Sequence, residues 1–262
     1  MKISKKQIEL KECLGKEWII SNGIGGFAAS SVLGANTRRY HGLLVASLMA
    51  PARRHLIISK LDESIIVDNE EYNLFTNVCK NYISDGYKYL ESFEKDYLPI
   101  FTYKVNDIKI VKTISMVYEK NTVVVQYKIK NGKKESKLKL APIVNFRDFH
   151  HMNTNHTYSL NQNEDGNKIR LEIDGNENVP VYLYVKDSEY IKHENDTFWN
   201  MFYLKEEERG FYPEENLLVP GRFEISMKPR ETKEITFVAS LDSDIEKIDS
   251  NEVIENEIKR LQ

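Results

Sequence analysis

A chain of 262 residues with 41% hydrophobic and 29% charged residues is long and apolar enough for one large all-β domain or two modest ones. Its 37 basic and 40 acidic residues give a net charge of −3, which offers no general attraction for nucleic acid or an anionic membrane. Cys13 and Cys79 form no disulfide framework or CxxC motif, and the sequence shows neither a signal peptide nor an apolar run of membrane-spanning length. We therefore expect a cytoplasmic protein without a cofactor and without nucleic-acid or membrane partners.

The stretch from Glu17 to Ser47 combines a strand, a glycine turn and a polar cluster. Trp18 to Ile20 is typical of a short buried strand, and Asn22 to Gly26 supplies residues that reach positive φ in a tight turn. The glycines also match the permissive dinucleotide-binding fingerprint, but serines and β-branched residues follow where that motif opens a helix. The pattern predicts two strands joined by a turn and argues against a nucleotide site.

The middle of the chain consists of short alternating segments separated by turn residues, a pattern typical of a β-sandwich rather than of βαβ units. About a dozen to fifteen strands are expected, too many for a small sandwich. The predicted fold class is therefore all-β, a large two-layer β-sandwich. The strands include His55 to Ser59, Ser64 to Val67, Phe101 to Val105 paired with Ile108 to Ile114, Thr122 to Lys130 with its polar side chains on one face, Lys168 to Asp174, Val181 to Val185 and Trp199 to Leu204.

The C-terminal segment has a different, helical pattern. Ser243 to Glu246 matches a capping box, and Ile254, Ile258 and Leu261 recur at helical spacing on a charged helix. A lone amphipathic helix needs a surface to pack against, so we expect a β-sandwich domain over residues 1–242 and a short linker helix over 243–262 that leads into a further domain.

Four polar residues in succession, Arg38, Arg39, Tyr40 and His41, form the first candidate site. On a strand, Arg38 and Tyr40 would point to one side and Arg39 and His41 to the other. Guanidinium groups and an aromatic ring suit sugar recognition, because hydroxyls take paired hydrogen bonds and sugar C–H groups stack on rings. The alternative is structural, with these arginines paired to carboxylates such as Asp62, Glu63 or Glu208.

A second candidate site contains Arg147, Asp148 and His150, which follow a predicted strand and precede a polar loop. Together with His151 and His156 they offer metal-ligand atoms, but neighbouring histidines on a strand diverge and no zinc-type spacing is present. We therefore predict glycan contact or a hydrogen-bond network here, and no metal.

Glu206 to Arg209 and the pair Glu214 and Glu215 form an acidic segment around Phe211 and Tyr212. Hydrolysis of a glycoside needs two carboxylates that flank one bond, and sequence shows no such pairing. The favoured interpretation is a solvated acidic loop, with Glu208 pairing an arginine.

Several of these segments resemble the N-terminal domain of bacterial and archaeal glycogen-debranching amylo-α-1,6-glucosidases. The specific block is N-T-R-R-Y-H-G-L-L-V-A at Asn36 to Ala46, preceded by a similar tryptophan strand and N-G-x-G-G turn. Shorter matches are Leu61 to Glu63, Asn145 to His150, Glu208 to Gly210 and Pro220 to Phe223. The resemblance spans nearly the whole chain.

This resemblance implies a galactose-mutarotase-like supersandwich that contacts α-glucans, such as glycogen or maltooligosaccharides, and a C-terminal catalytic domain of the same polypeptide. The catalytic carboxylates of the family belong to an α/α barrel, for which this chain has no residues, so the chain alone is predicted to be inactive. Candidate substrate-binding residues are Arg38, Arg39, Tyr40, His41, Arg147, Asp148 and His150, and candidate interdomain or structural residues are Trp18, Asp62, Glu63, Glu208 and Arg209.

Two other classes of function stay open. A self-contained sugar mutarotase or epimerase would use a similar sandwich, with His150 or His151 and a glutamate transferring protons. A protein-interaction module would use exposed aromatic residues to bind a partner.

Overall fold

The computed structural model describes residues 1–154, 159–173 and 179–262, and most of them lie in β-strands. Within these ranges three α-helices, α1 to α3, span Leu10–Leu14, Leu204–Glu207 and Ser250–Leu261, and single 3-10 turns span Lys5–Gln7, Gly86–Tyr89 and Ile245–Lys247. The strands are β1 (Lys2–Ser4), β2 (Glu17–Ser21), β3 (Phe27–Ser31), β4 (Gly42–Met49), β5 (Ala52–Val67), β6 (Glu70–Asn73), β7 (Val78–Cys79), β8 (Tyr82–Ile83), β9 (Leu90–Lys95), β10 (Pro99–Val105), β11 (Ile108–Met116), β12 (Thr122–Lys130), β13 (Ser136–Asp148), β14 (Leu160–Asp165), β15 (Lys168–Ile173), β16 (Val181–Val185), β17 (Glu189–Phe202), β18 (Glu214–Met227) and β19 (Thr232–Ser240).

The strands form two large antiparallel sheets, as the alternating pattern predicts. Sheet I has nine strands in the order β1-β9-β10-β11-β12-β19-β16-β15-β14. Sheet II has ten, in the order β2-β3-β4-β5-β13-β18-β17-β7-β8 with β6 paired to β5. One continuous core fills the space between them, where Trp18 of sheet II meets Phe101 of sheet I edge to face at 6.3 Å. The prediction of an all-β, two-layer sandwich is confirmed.

Local turns also follow the sequence. Gly23 and Gly25 have φ of +83° and +96° in the turn between β2 and β3, where residues other than glycine are strained. This turn leads into a strand and not into a helix, which removes the structural basis for a dinucleotide site. The predicted two-residue turn at Asn106 and Asp107 is present, with Val105 opposite Ile108.

Residues Lys60 to Glu63 continue β5 and do not separate two strands, contrary to the predicted break. The charged side chains alternate between the two faces of the strand. Glu63 points into the core, where it accepts hydrogen bonds from Lys112 and from Tyr127 at 2.8 Å. On the opposite face, Asp62 lies 3.1 Å from Lys60. Because these charges have partners on both sides, they do not interrupt the strand.

The C-terminal helix packs against sheet I of the same chain. It begins after Asp249, whose carboxylate accepts from the backbone of Asn251 at 2.8 Å, so the predicted capping box at Ser243 to Glu246 is not the start of this helix. Gln126, predicted on a polar face of β12, is buried under the helix and donates to Ser250 at 2.9 Å. The amphipathic pattern of the helix therefore has a partner surface within the described chain.

No helix within the described ranges combines the length and the apolar character that crossing a bilayer requires. Cys13 is buried and Cys79 half-buried, and both are free thiols, as the sequence predicts.

Candidate functional site

Three segments distant in sequence meet over the outer face of sheet II. These are the turn before β4, the segment that follows β13, and α2 with the residues after it. Arg147 donates to the carbonyl of Arg39 at 2.9 Å, and Lys205 N donates to the carbonyl of Thr37 at 2.9 Å. The segments after β13 and at β18 are joined through Asn216 N and the carbonyl of Asn153, 3.0 Å apart. The segments that carry the two predicted candidate sites thus lie side by side.

Its foundation is a buried ion pair between Arg147 and Glu215. Arg147 Nε lies 2.5 Å from Glu215 Oε1, and Nη2 lies 2.9 Å from Oε2, so the pair is bidentate. Glu215 also accepts from Tyr203 at 2.5 Å, from Asn145 at 3.1 Å and from the backbone of Asn153 at 2.8 Å. Glu215 is 1% exposed, and its charge is met entirely by donors of the chain.

Burial and the charge of Glu215 shift the pKa values of both Arg147 and Tyr203. Burial alone lowers the pKa of the Arg147 guanidinium, but the adjacent Glu215 and Tyr203 outweigh it and leave that pKa raised. Burial, followed by the charge of Glu215, raises the pKa of Tyr203 well above its ordinary value. Arg147 is therefore charged and Tyr203 neutral across the physiological range.

A second buried carboxylate at the site belongs to Glu206. It is fully buried, and its Oε2 atom lies 3.3 Å from both Arg39 Nε and Arg209 Nη1. Its Oε1 atom accepts from the backbone of Arg39 at 3.3 Å. Arg39, Arg147, Arg209, Glu206 and Glu215 form what we call the arginine–carboxylate cluster. The predicted solvated acidic loop is wrong for Glu206 and Glu215.

Above the cluster, guanidinium groups and aromatic rings alternate in a stack. Arg39 Cζ lies 5.3 Å from the ring centre of Tyr40 and 4.9 Å from that of Phe211. Arg209 Cζ lies 5.0 Å from the same Phe211 ring. Phe211 is 47% exposed. These four residues, the Arg39–Phe211 stack, present a rigid surface of cations and rings to solvent.

His150 extends this surface. Its Nδ1 atom lies 3.3 Å from the Tyr40 hydroxyl, and its carbonyl accepts from Arg39 Nη1 at 3.0 Å. Asp148 accepts from the backbone of His150 at 2.9 Å and thereby shapes the turn after β13. Tyr40 and His150 are thus neighbours.

The predicted alternation of residues 38–41 is wrong because these residues form a turn and not a strand. His41 N donates to the carbonyl of Arg38 at 3.0 Å, so the chain reverses there. Arg38 and His41 consequently face the same partner, Glu17, at 2.7 Å and 3.5 Å. His41 is 3% exposed, with Nδ1 accepting from the backbone of Thr37 at 3.1 Å.

The carboxyl group of Glu17 has a lowered pKa. Hydrogen bonding by His41 is the largest cause, and with Arg38 it lowers the pKa of Glu17 to about 2 despite partial burial. The trio fixes the turn on the edge strand β2 and is separate from the Arg39–Phe211 stack.

The residues predicted as interdomain or structural are distributed over the sandwich. Trp18 is buried in the core and donates to the carbonyl of Ser31 at 3.0 Å. Glu63 pairs with Lys112 inside the sandwich, Asp62 pairs with Lys60 on the opposite face of β5, and Glu208 pairs with Lys205 at 2.7 Å. The arginines of the site thus pair with Glu17, Glu206 and Glu215 and not with the predicted carboxylates Asp62, Glu63 and Glu208.

Within the described residues, no three histidine, cysteine, aspartate or glutamate side chains converge as metal ligands would. His151 lies 3.6 Å from Asp148 and is exposed, and His156 lies outside the described residues.

Sequence reasoning missed the central residues Glu206, Glu215 and Tyr203. A local signal existed for Glu206, because Arg209 follows at the i+3 spacing at which helical side chains pair. Glu215 gave no comparable signal, since its partner Arg147 is 68 residues away in sequence.

Fold and site together define an all-β, two-layer sandwich protein whose polar surface rests on buried arginine–carboxylate pairs. A family model described as glycogen debranching enzyme N terminal matches residues 16–234 of the chain. The chain therefore belongs to the family of glycogen debranching enzyme N-terminal domains.

No curated protein sequence matched the chain. Among solved structures, a bacterial glucoamylase complexed with acarbose is 14% identical, with 94% of this chain and 34% of that one covered at a TM-score of 0.46. A putative kojibiose phosphorylase from the human microbiome is 11% identical, with 94% and 28% covered at a TM-score of 0.38. A heparan sulfate lyase from Pedobacter heparinus is 10% identical, with 68% and 23% covered at 0.39. The chain thus spans a minor part of each of these proteins.

Proposed function

We propose that this chain is a noncatalytic domain of a glycogen-debranching enzyme that hydrolyses α-1,6-glucosidic branch points in glycogen or related α-glucans. In this role the domain binds α-glucan and braces the catalytic domain of the same polypeptide. Membership of the debranching-enzyme N-terminal family supports the choice of enzyme and substrate.

The observation that carries the binding role is the Arg39–Phe211 stack. Sugars present hydroxyl groups at their edges and C–H groups on their faces, so a ring flanked by forked donors is complementary to both. Arg39 and Arg209 both lie against the Phe211 ring, and both contact the buried carboxylate of Glu206. Because these side chains are already fixed, they lose little conformational entropy when an oligosaccharide binds.

The state of the carboxylates supports a noncatalytic role at this site. A glycosidase needs one carboxyl group as general acid and another as base or nucleophile, both in reach of the scissile bond. Glu206 and Glu215 are buried and held in arginine pairs, so neither is presented to a substrate.

Exposed aromatic side chains outside the stack support the bracing role. Trp199 is 53% and Tyr212 58% exposed, on β17 and on the segment that joins α2 to β18. Aromatic residues of this kind are enriched at protein interfaces, where they contribute a large buried area.

Calorimetric titration with a series of maltooligosaccharides tests glucan binding at the stack. Phe211→Ala removes the exposed ring, and we expect affinity to fall about two- to tenfold, the effect of one aromatic contact. Tyr118→Ala is the matched control, because it removes a ring of similar exposure, 48%, from the turn after β11, where the ring contacts Arg260 of α3 and no stack residue. Equal affinity of the Phe211→Ala variant and the parent chain contradicts the assignment.

Activity assays on the same chain test the noncatalytic part. No glucose release is expected from an α-1,6-branched oligosaccharide, and no acceleration of anomer interconversion is expected by polarimetry. Turnover in the first assay contradicts the noncatalytic role, and an accelerated rate that is lost in His150→Ala favours the mutarotase alternative.

A further inference from the structure

A groove of about 490 Å³ lies on the outer face of sheet II, on the side where Asp62 points. Its volume is within the range of small-molecule sites. We propose that this groove binds one neutral hexose ring of a glucan, independently of the Arg39–Phe211 stack. It is lined by Asp62, Ser64, Glu71, Asn73, Phe75, Asn77, Lys139, Ala141, Ile143, Phe198, Val219 and Arg222 and is called the sheet II groove below.

The apolar part of the lining suits the face of a sugar ring. Phe75 and Phe198 contribute two half-buried aromatic rings, and Ala141, Ile143 and Val219 supply an aliphatic floor. The C–H face of a pyranose packs on surfaces of this composition. Ile143 and Phe198 also belong to a small apolar cluster that contains Tyr203, so the floor is fixed from below by residues that hold Glu215.

The polar part of the lining offers hydroxyl partners that are already held in place. Asn77 Nδ2 donates to Asp62 Oδ2 at 2.6 Å, and Asn77 N donates to the Ser84 hydroxyl at 2.7 Å. Asp62 has a further contact with Lys60 at 3.1 Å. An adjacent carboxylate and carboxamide, both immobilised, match neighbouring hydroxyls of a hexose at little entropic cost.

Burial removes water from the Asp62 carboxylate, so a further hydrogen-bond donor would stabilise it. Desolvation is the largest influence on this group and raises its pKa, although Lys60 and Asn77 act in the opposite direction. A sugar hydroxyl that donates to the carboxylate would replace part of its lost hydration.

The charge of the lining selects a neutral ligand. Among the described lining residues, the acidic Asp62 and Glu71 are balanced by the basic Lys139 and Arg222. Lys139 is 2.9 Å from Glu71, and Arg222 is 2.8 Å from Glu224, so neither cation is left for a phosphate or a carboxylate of the ligand. An anionic sugar would meet Asp62 without a compensating free cation.

A two-dimensional NMR titration of the ¹⁵N-labelled chain with maltotriose tests the proposal, because it reports each site separately. We expect maltotriose to change the backbone amide chemical shifts of Asn77, Ala141 and residue 198. The affinity obtained from these changes should fall about tenfold in Phe198→Ala and be retained in Phe198→Tyr, which keeps the ring. Phe211→Ala should leave these shifts unchanged. Circular dichroism spectra confirm that each variant is folded.

Absence of maltotriose shifts in the groove overturns the proposal, as does groove binding that survives Phe198→Ala. Equal shifts on titration with galacturonate would contradict the argument from charge. The two sites are tested separately. Binding confined to residues around Phe211 retains the stack as the glucan site and removes the groove, whereas binding confined to the groove retains the groove and removes the stack.

Discussion

Replacing Glu215 by glutamine should destabilise this domain more than any other single charge removal at the site. The substitution keeps the side-chain volume but leaves the Arg147 guanidinium buried without its counter-charge, at 5% residue exposure. The new amide group also places donor hydrogens opposite donors that now contact Glu215, from Arg147 and Tyr203. Removing one partner of a buried pair costs about 3–5 kcal/mol.

Equilibrium urea unfolding measures this loss. With a denaturant slope of about 3 kcal/mol/M, the midpoint should fall by about 1 to 1.7 M urea. Tryptophan fluorescence and far-UV circular dichroism should be followed together, because coincident transitions are required before a two-state free energy is assigned.

Two variants control the interpretation. Glu208→Gln breaks the pair with Lys205. Because the Glu208 side chain is 60% exposed, this change should alter the free energy of unfolding by no more than about 0.5 kcal/mol. In Glu215→Leu/Arg147→Met both charges are absent, so the loss should be well below the sum of the two single variants. A loss under about 1 kcal/mol for Glu215→Gln, or additive effects in the double variant, would refute the reasoning.

Three further predictions concern the ends of the sandwich. Because the folded-state pKa of Glu17 is lowered to about 2, its contribution to stability is fully present above the unfolded pKa near 4.5 and is lost as pH falls through about 2. The difference in Tm between the parent and Glu17→Gln should therefore shrink between pH 5 and pH 2. A constant difference in Tm would exclude this origin. Gly25→Ala places a methyl group against the backbone of Pro51 at a φ of +96° and should cost more than about 2 kcal/mol by urea unfolding, whereas Gly34→Ala, at φ +70° with open space around it, should cost about 1 kcal/mol. Asp249→Ala removes the N-cap acceptor of α3 and should cost about 1 kcal/mol in the same assay, and an unchanged midpoint would show that the cap is dispensable.

The strands and turns of this protein were predictable because their signals are local. The alternation in β12 placed Val123, Val125, Tyr127 and Ile129 toward the core, and all are buried there. The glycines before β3 and the Asn106-Asp107 turn were equally direct, since backbone conformation depends on each residue and its immediate neighbours. The break predicted at Lys60 to Glu63 failed because charge was interpreted without knowledge of partners across the sandwich.

The candidate site was predictable only in part. The sequence singled out Arg39, Tyr40, Arg147 and His150, which do lie together. It gave no means of choosing their partners, because Glu206 is 167 residues from Arg39 and Glu215 is 68 residues from Arg147. Nor did it show that residues 38–41 form a turn, in which Arg38 and His41 contact the same carboxylate, Glu17.

By itself, then, the sequence determined the sandwich, its turns and the family to which the chain belongs. The tertiary structure decided which acidic residues are buried, which arginine each one pairs with, and that Phe211 completes a stack with Arg39. These outcomes depend on strand order and on irregularities such as the register shifts of β13 between Ile143 and Arg147. A register shift of one residue turns a side chain to the opposite face of a sheet, so contacts between distant strands are set by the assembled fold and not by neighbours in the chain.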